Sequence, residues 1–322
     1  MTQGARRLSR SPRDRRLLPR PEHIGRLARR EERWFYMFIA PWLIGFILFG
    51  IGPILASLTL SFTDYDLGGM PNFVGLDNFT RMVDPVQGPV LAKAVSNTLF
   101  IALLVIPLQI MFGLALAVLL NQRVHGMPVF RTAFYLPTVV AGVATIMIWT
   151  WILGSDGLLN QVLSVFGING PAWLRDPSTI KLGVVIMMVW GGTGGMMLIF
   201  LAGLQGIPHE LLDAAAVDGA SAFQRFWHVT LPLLTPQLFF NLVLGIAGGL
   251  AVFTETYVLS AGSGAPANES LTLVMYIYNQ LLRNVQVGYA SAVAWVFTIA
   301  VVILTAFQFW GSRHWVYYEG EG

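Results

Sequence analysis

Six apolar stretches punctuate the chain, running from Phe35 to Leu60, Thr98 to Leu120, Thr132 to Leu153, Leu182 to Leu204, Gln237 to Leu259 and Tyr289 to Trp310. Each reaches the roughly 20 residues that a helix needs to cross a hydrocarbon core. Glu255 is the one carboxylate within them. The pattern predicts an all-α, polytopic membrane protein with six transmembrane helices. It divides the chain into a basic tail over 1–34, a transmembrane domain over 35–312 with a functional loop at 205–236, and a short tail over 313–322.

Composition agrees with this pattern. Hydrophobic residues make up 55% of the chain and charged residues only 11%, against roughly 25% charged in a soluble domain. Eleven of the twenty Lys and Arg fall between Arg6 and Arg33, so the net charge of +3 sits in one tail beside a membrane segment. Lipid headgroups account for such a tail, and no nucleic-acid partner is expected. An even number of spans puts both termini on one side. That side holds fifteen Lys and Arg and the other five, and because positive charge stays in the cytoplasm, both termini are expected there. Positive charge before an apolar run also begins a secretory signal, but this run is too long and passes Gly50, Pro53 and Ser61 without a small-x-small cleavage site. The first helix is therefore expected to remain, with residues 23–33 as a short basic helix on the headgroups.

Several chemistries are excluded. The chain has no cysteine, and its two lysines, Lys93 after Ala92 and Lys181 after Ile180, lack the glycine that a phosphate-cradling loop places before its lysine. A transporter built from this chain must take its energy from elsewhere. His23, His125, His209, His228 and His314 lie outside the spans and pair with no partner at metal-ligand spacing, so neither metal nor cofactor is expected and a membrane enzyme is disfavoured.

The segment between the fourth and fifth spans has the strongest local signals. Pro208 suits a first helical position, Glu210 the first turn, and Ala214, Ala215 and Ala216 the interior. Gly219 supplies a stop. Ser221 can cap a second helix with Phe223, Phe226 and Trp227 on one face and Pro232 at its end. A small-residue face of Ala214, Ala215 and Gly219, edged by Asp213 and Asp218, suits close approach of another protein; the plain alternative is a surface loop whose alanines merely favour helix.

This run resembles the EAA loop of permease subunits in binding-protein-dependent ABC importers. The matching residues are Asp213-Ala214-Ala215, Asp218-Gly219-Ala220 and Thr230-Leu231-Pro232-Leu233-Leu234, with Asp213 in place of the usual glutamate. Phe73-Val74-Gly75-Leu76-Asp77-Asn78-Phe79, Phe130 to Pro137 and Leu201 to Pro208 are similar to carbohydrate permeases of the maltose and glycerol-phosphate type. The usual external Thr-x-Gly-Gly-Pro is altered to Ser260-Ala261-Gly262-Ser263-Gly264-Ala265-Pro266. The resemblance implies a type I ABC importer permease fold. It also implies a second homologous permease with this chain as the maltose-F-like member, two cytoplasmic ATPases, an external solute-binding protein, and Asp213, Ala214, Ala215, Asp218 and Gly219 as the ATPase-coupling residues.

Candidate pathway residues are Trp190, Gly192, Thr193, Gly195, Gly248 and Glu255. A charge in hydrocarbon costs several kcal/mol, so Glu255 either accepts from solute hydroxyls or gates the path, or it reaches interfacial water near its helix end. The glycines of Trp190 to Met196 either open a cavity, as that stretch does in the related permeases, or pack helices through Gly191 and Gly195. Gly245, Gly248 and Gly249 allow the same two readings. A stand-alone secondary transporter or channel is the alternative function, but several intramembrane charges and internal repeats would be expected of it.

Overall fold

The computed structural model describes residues 26–122, 124–140 and 142–317, so most of the basic tail lies outside the described residues. From Arg26 the chain is one continuous helical run into the first apolar stretch, so 26–33 is not a separate helix, while 23–25 of the expected basic helix lie outside the described residues. The helix keeps its register because no breaker stands between the arginines and Trp34.

Among the described residues five helices are long and apolar enough to cross a membrane: α1 (Arg29–Leu60), α2 (Gly88–Leu120), α6 (Ile180–Gly206), α8 (Thr235–Ser260) and α10 (Val287–Ser312). The third expected span is instead two helices, α3 (Met127–Val139) and α4 (Gly142–Ile152), bent by 99°. Pro137 lies in the last turn of α3 and Val140 is extended, with Gly142 opening α4. Proline removes a backbone donor and crowds the carbonyl one turn earlier, so the helix stops within two residues of it. Two shorter helices complete the elements used below, α5 (Leu158–Val165) and α7 (His209–Val217).

The chain forms two units, one up to Ala56 and one from Ser57. The described part of the first, 26–56, is helical, with a π turn at Ile47–Ile51 just before Pro53. A second π turn, Phe226–Thr230, precedes Pro232. A π turn takes in an extra residue where proline cannot complete the ordinary ladder. For this reason Pro232 does not end its helix as expected but continues into a further turn.

In the second unit α2, α6 and α8 form the core, with Ile101, Val105, Val184, Val185 and Val252 in one buried cluster and Leu120, Met196, Met197 and Phe200 in another. Small residues set the crossings: a Cβ on Gly113 would lie 3.0 Å from the Met196 Cβ, and one on Gly249 3.1 Å from Ile106. α8 is itself interrupted at 251–253. The freed Val252 carbonyl accepts the buried Thr272 hydroxyl at 2.8 Å, which restores the pairing that a backbone break in hydrocarbon requires.

Loops gather at two ends. At the end holding 261–286, Glu269 accepts Lys93 Nζ and Lys181 Nζ at 2.6 Å each, joining α2, α6 and the loop after α8. Asn97 adds bonds of 2.7 and 2.9 Å to the Asn268 and Leu271 carbonyls. At the end holding 207–234, Arg131 donates to the terminal Leu120 carbonyl of α2 at 2.9 Å.

Candidate functional site

Two places gather the residues that the sequence singles out. The first is a cavity of about 260 Å³ lined by Gln109, Thr138, Thr145, Gly191, Gly192 and Glu255. Each wall has a local cause. The Pro137 break turns Thr138 toward this space, and the break in α8 starts a new helix at Thr254 with Glu255 in its first turn. Gly192 admits Gln109, whose Nε2 donates to the Met188 carbonyl at 2.6 Å, because a Cβ on Gly192 would collide with that amide. The lining thus offers a carboxylate, an amide and two hydroxyl side chains within an otherwise apolar bundle, the Thr138 hydroxyl donating its own proton to the Tyr135 carbonyl.

The other candidates divide around it. Trp190 and Thr193 face an adjoining apolar groove of about 780 Å³, shared with Phe112, Phe134 and Trp149, and Pro137 borders both spaces. Trp190 meets Trp149 edge-on at 5.8 Å, and the Thr193 hydroxyl is spent on the Val189 carbonyl at 2.5 Å. Gly195 lies beside the Thr138 methyl, while Gly248 is exposed with open space around it, away from the cavity. The close approach of α6 to α3 falls at Gly194, where a Cβ would lie 2.5 Å from the Phe134 carbonyl, whereas Gly191 has open space. Gln109 was missed in the sequence, although a lone amide in an apolar span is a usable signal.

The second place is the turn after α6. Pro208 is the cap rather than the first residue of α7, its extended ψ of 128° letting the chain leave α6 before the new helix starts. α7 ends at Gly219 with φ +83°, and its closing bonds run from Gly219 N to the Ala216 carbonyl and from Ala220 N to the Ala215 carbonyl. That is the glycine stop expected of a Schellman motif. Ser221 then caps the next helix in a reciprocal pair with Gln224. Asp213, Ala214, Asp218 and Gly219 are exposed and Ala215 is half-buried. Two large apolar side chains flank them, Val217 at 88% and Phe223 at 72% exposure. A rigid turn with bare apolar edges outside the apolar spans has the properties of a surface made to be covered.

Comparison with known proteins gives the family and the fold. Residues 109–314 match the family model of the binding-protein-dependent transport system inner membrane component. The chain belongs to this family. The permease is 40% identical over 298 residues to a probable ABC transporter permease protein, YesP, of Bacillus subtilis, covering 92% of this chain and 96% of that one. It is 34% identical to the lactose transport system permease protein LacF of Rhizobium radiobacter, covering 86% and 93%. It is likewise 34% identical to the trehalose/maltose transport system permease protein MalF of Thermococcus litoralis, covering 80% and 86%. Its fold matches a chain of the bacterial alginate ABC transporter, solved in complex with an alginate pentasaccharide-bound periplasmic protein, with a TM-score of 0.76 at 22% identity over 90% of this chain and 98% of that one. The permease is a multi-pass membrane protein with the fold of an ABC importer permease.

Proposed function

We propose that this permease forms, with a second homologous permease, the membrane path for a sugar or sugar-like solute delivered by an external binding protein. The observation that carries the reading is the cavity where Gln109, Thr138, Gly192 and Glu255 meet. Hydroxyl-rich neutral solutes are held by such acceptors and donors set in an apolar wall. The lactose and trehalose/maltose names of the relatives support the same solute class. The turn of Asp213, Ala214, Ala215, Asp218 and Gly219 docks on one of two cytoplasmic ATPases. Both termini then lie in the cytoplasm, in keeping with the basic tail. The chain itself hydrolyses no ATP.

Glu255 supplies the test. Glu255→Gln keeps the shape of the cavity and removes its charge, so the assembled importer should retain normal membrane levels and ATPase recovery while sugar uptake falls at least tenfold. Uptake kinetics equal to those of the unmodified importer would place Glu255 outside the path.

A further inference from the structure

Between α4 and α6 the chain folds into a hairpin that neither the cavity nor the α7 turn uses. Its helix, α5, has three sectors. Leu159 and Leu163 are half-buried, Leu163 close against Gly170. Asn160, Gln161 and Ser164 line a polar cavity of about 310 Å³ with Ser155 and Asp156. The third sector is Leu158, Val162 and Val165, spaced at i, i+4 and i+7, with Phe166 one residue on. This face spans an arc of roughly 100°. It is bare, with Val165 at 83% and Phe166 at 75% exposure.

The hairpin is held firmly. The Asn160 amide donates to the Ser155 and Pro171 carbonyls at 3.0 Å each, and its oxygen accepts the Trp173 indole N–H at 2.8 Å. Gly170 leaves room for this, since a Cβ there would collide with the Asn160 oxygen. The base of the hairpin has a fixed height. Leu153 and Leu174 both crowd Gly183, about one turn inside the start of the membrane-spanning α6.

We infer that α5 is an interfacial helix, its Leu158, Val162, Val165 and Phe166 face sunk among lipid headgroups at the 261–286 end and its Gln161 and Ser164 turned to water. Three observations choose lipid over a protein partner. The apolar face continues the exposed Met147, Ile148 and Trp151 of α4, whose sequence lies in an apolar span, so the lipid-facing belt runs on into α5. Trp151 lies in the last turn of α4 beside the hairpin, and indoles concentrate at membrane-water boundaries. The chain has no charge from 157 to 174, whereas a protein-docking patch is ordinarily rimmed by polar and charged groups. A short uncharged face suits a zwitterionic surface better than an anionic one.

The chain's lack of cysteine makes the test direct. Val165→Cys and Gln161→Cys would each carry an environment-sensitive fluorophore in the assembled importer, its partner subunits made cysteine-free, in phosphatidylcholine nanodiscs without binding protein. At Val165 the emission should shift to the blue, shallow spin-labelled lipid should quench it at least twofold more than a deep-labelled one, and iodide should quench it weakly. At Gln161 iodide should dominate. Phe166→Cys repeats the lipid reading should Val165→Cys assemble poorly. Equal iodide quenching at both sites would overturn the inference. So would shielding at Val165 that appears only on adding binding protein, or that persists in detergent and ignores lipid quenchers, because a protein would then cover the face.

Discussion

At the residue scale, single side chains decide what the bundle tolerates. Asn241 in α8 is completely buried, and neither end of its amide finds a hydrogen-bond partner among the described residues. An unpaired buried polar group costs about 1–3 kcal/mol, and an apolar group of similar shape removes that cost. Asn241→Leu is therefore expected to stabilise the detergent-solubilised permease by about 1–3 kcal/mol, read as a raised unfolding midpoint. A lowered midpoint would mean that Leu overpacks the site or that assembly supplies the missing partner. Gly192 is the reverse case, where the missing side chain is what lets Gln109 bond the Met188 carbonyl. The glycine was legible as an opening in α6. Its partner was not, because Gln109 comes from a helix 79 residues earlier by the span of that bond.

At the element scale, the turn after α6 was legible almost residue by residue. Its Gly219 stop and Ser221 cap depend on φ and on hydrogen bonds within a few residues, which local sequence specifies. The exceptions are Pro208, which caps α7 instead of opening it, and Pro232, where a π turn accommodates a residue that sequence rules read as an end. Gly219→Val tests the turn. Open space surrounds Gly219, so the cost comes from the positive φ alone, about 1–2 kcal/mol for a residue with a Cβ. The turn should distort while the spans stay intact, and recovery of the ATPase subunit in pull-down should fall with membrane abundance unchanged. Full recovery with full uptake would separate this turn from coupling.

At the scale of the whole molecule, one carboxylate ties together segments that lie far apart. Glu269, only 18% exposed, holds both lysines of the chain, 176 and 88 residues away. The hydrogen bonds from Lys181 and Lys93 hold its carboxyl below the ordinary value of 4.5. A lowered pKa means that the clamp contributes fully above that ordinary value and is lost as the pH falls through the lowered one. Thermal unfolding in nanodiscs should show an acid-side loss of stability that is smaller in Glu269→Gln, with Asp64, Asp84 and Asp176, also held below the ordinary value, supplying the remainder. At neutral pH that variant should be weaker by about 1.5–3 kcal/mol, the worth of hydrogen bonds to charged groups. An unchanged acid limb would assign the loss to other carboxylates.

Hydropathy along the sequence determined that this is a membrane protein with about six apolar segments, and charge counts suggested its orientation. Both follow from transferring residues between water and lipid, a property each segment has by itself. Turn chemistry around Gly219 was equally local. The tertiary structure decided that the third segment bends by 99° at Pro137 to Gly142, that α8 breaks where Thr272 can repair it, and that Gln109 and Glu255 share one cavity. It also decided that Glu269 gathers Lys93 and Lys181. Apart from the bend, whose cause at Pro137 is local, these outcomes rest on side chains brought together from distant segments. No window of sequence contains both partners, so only the packed fold could bring them into contact.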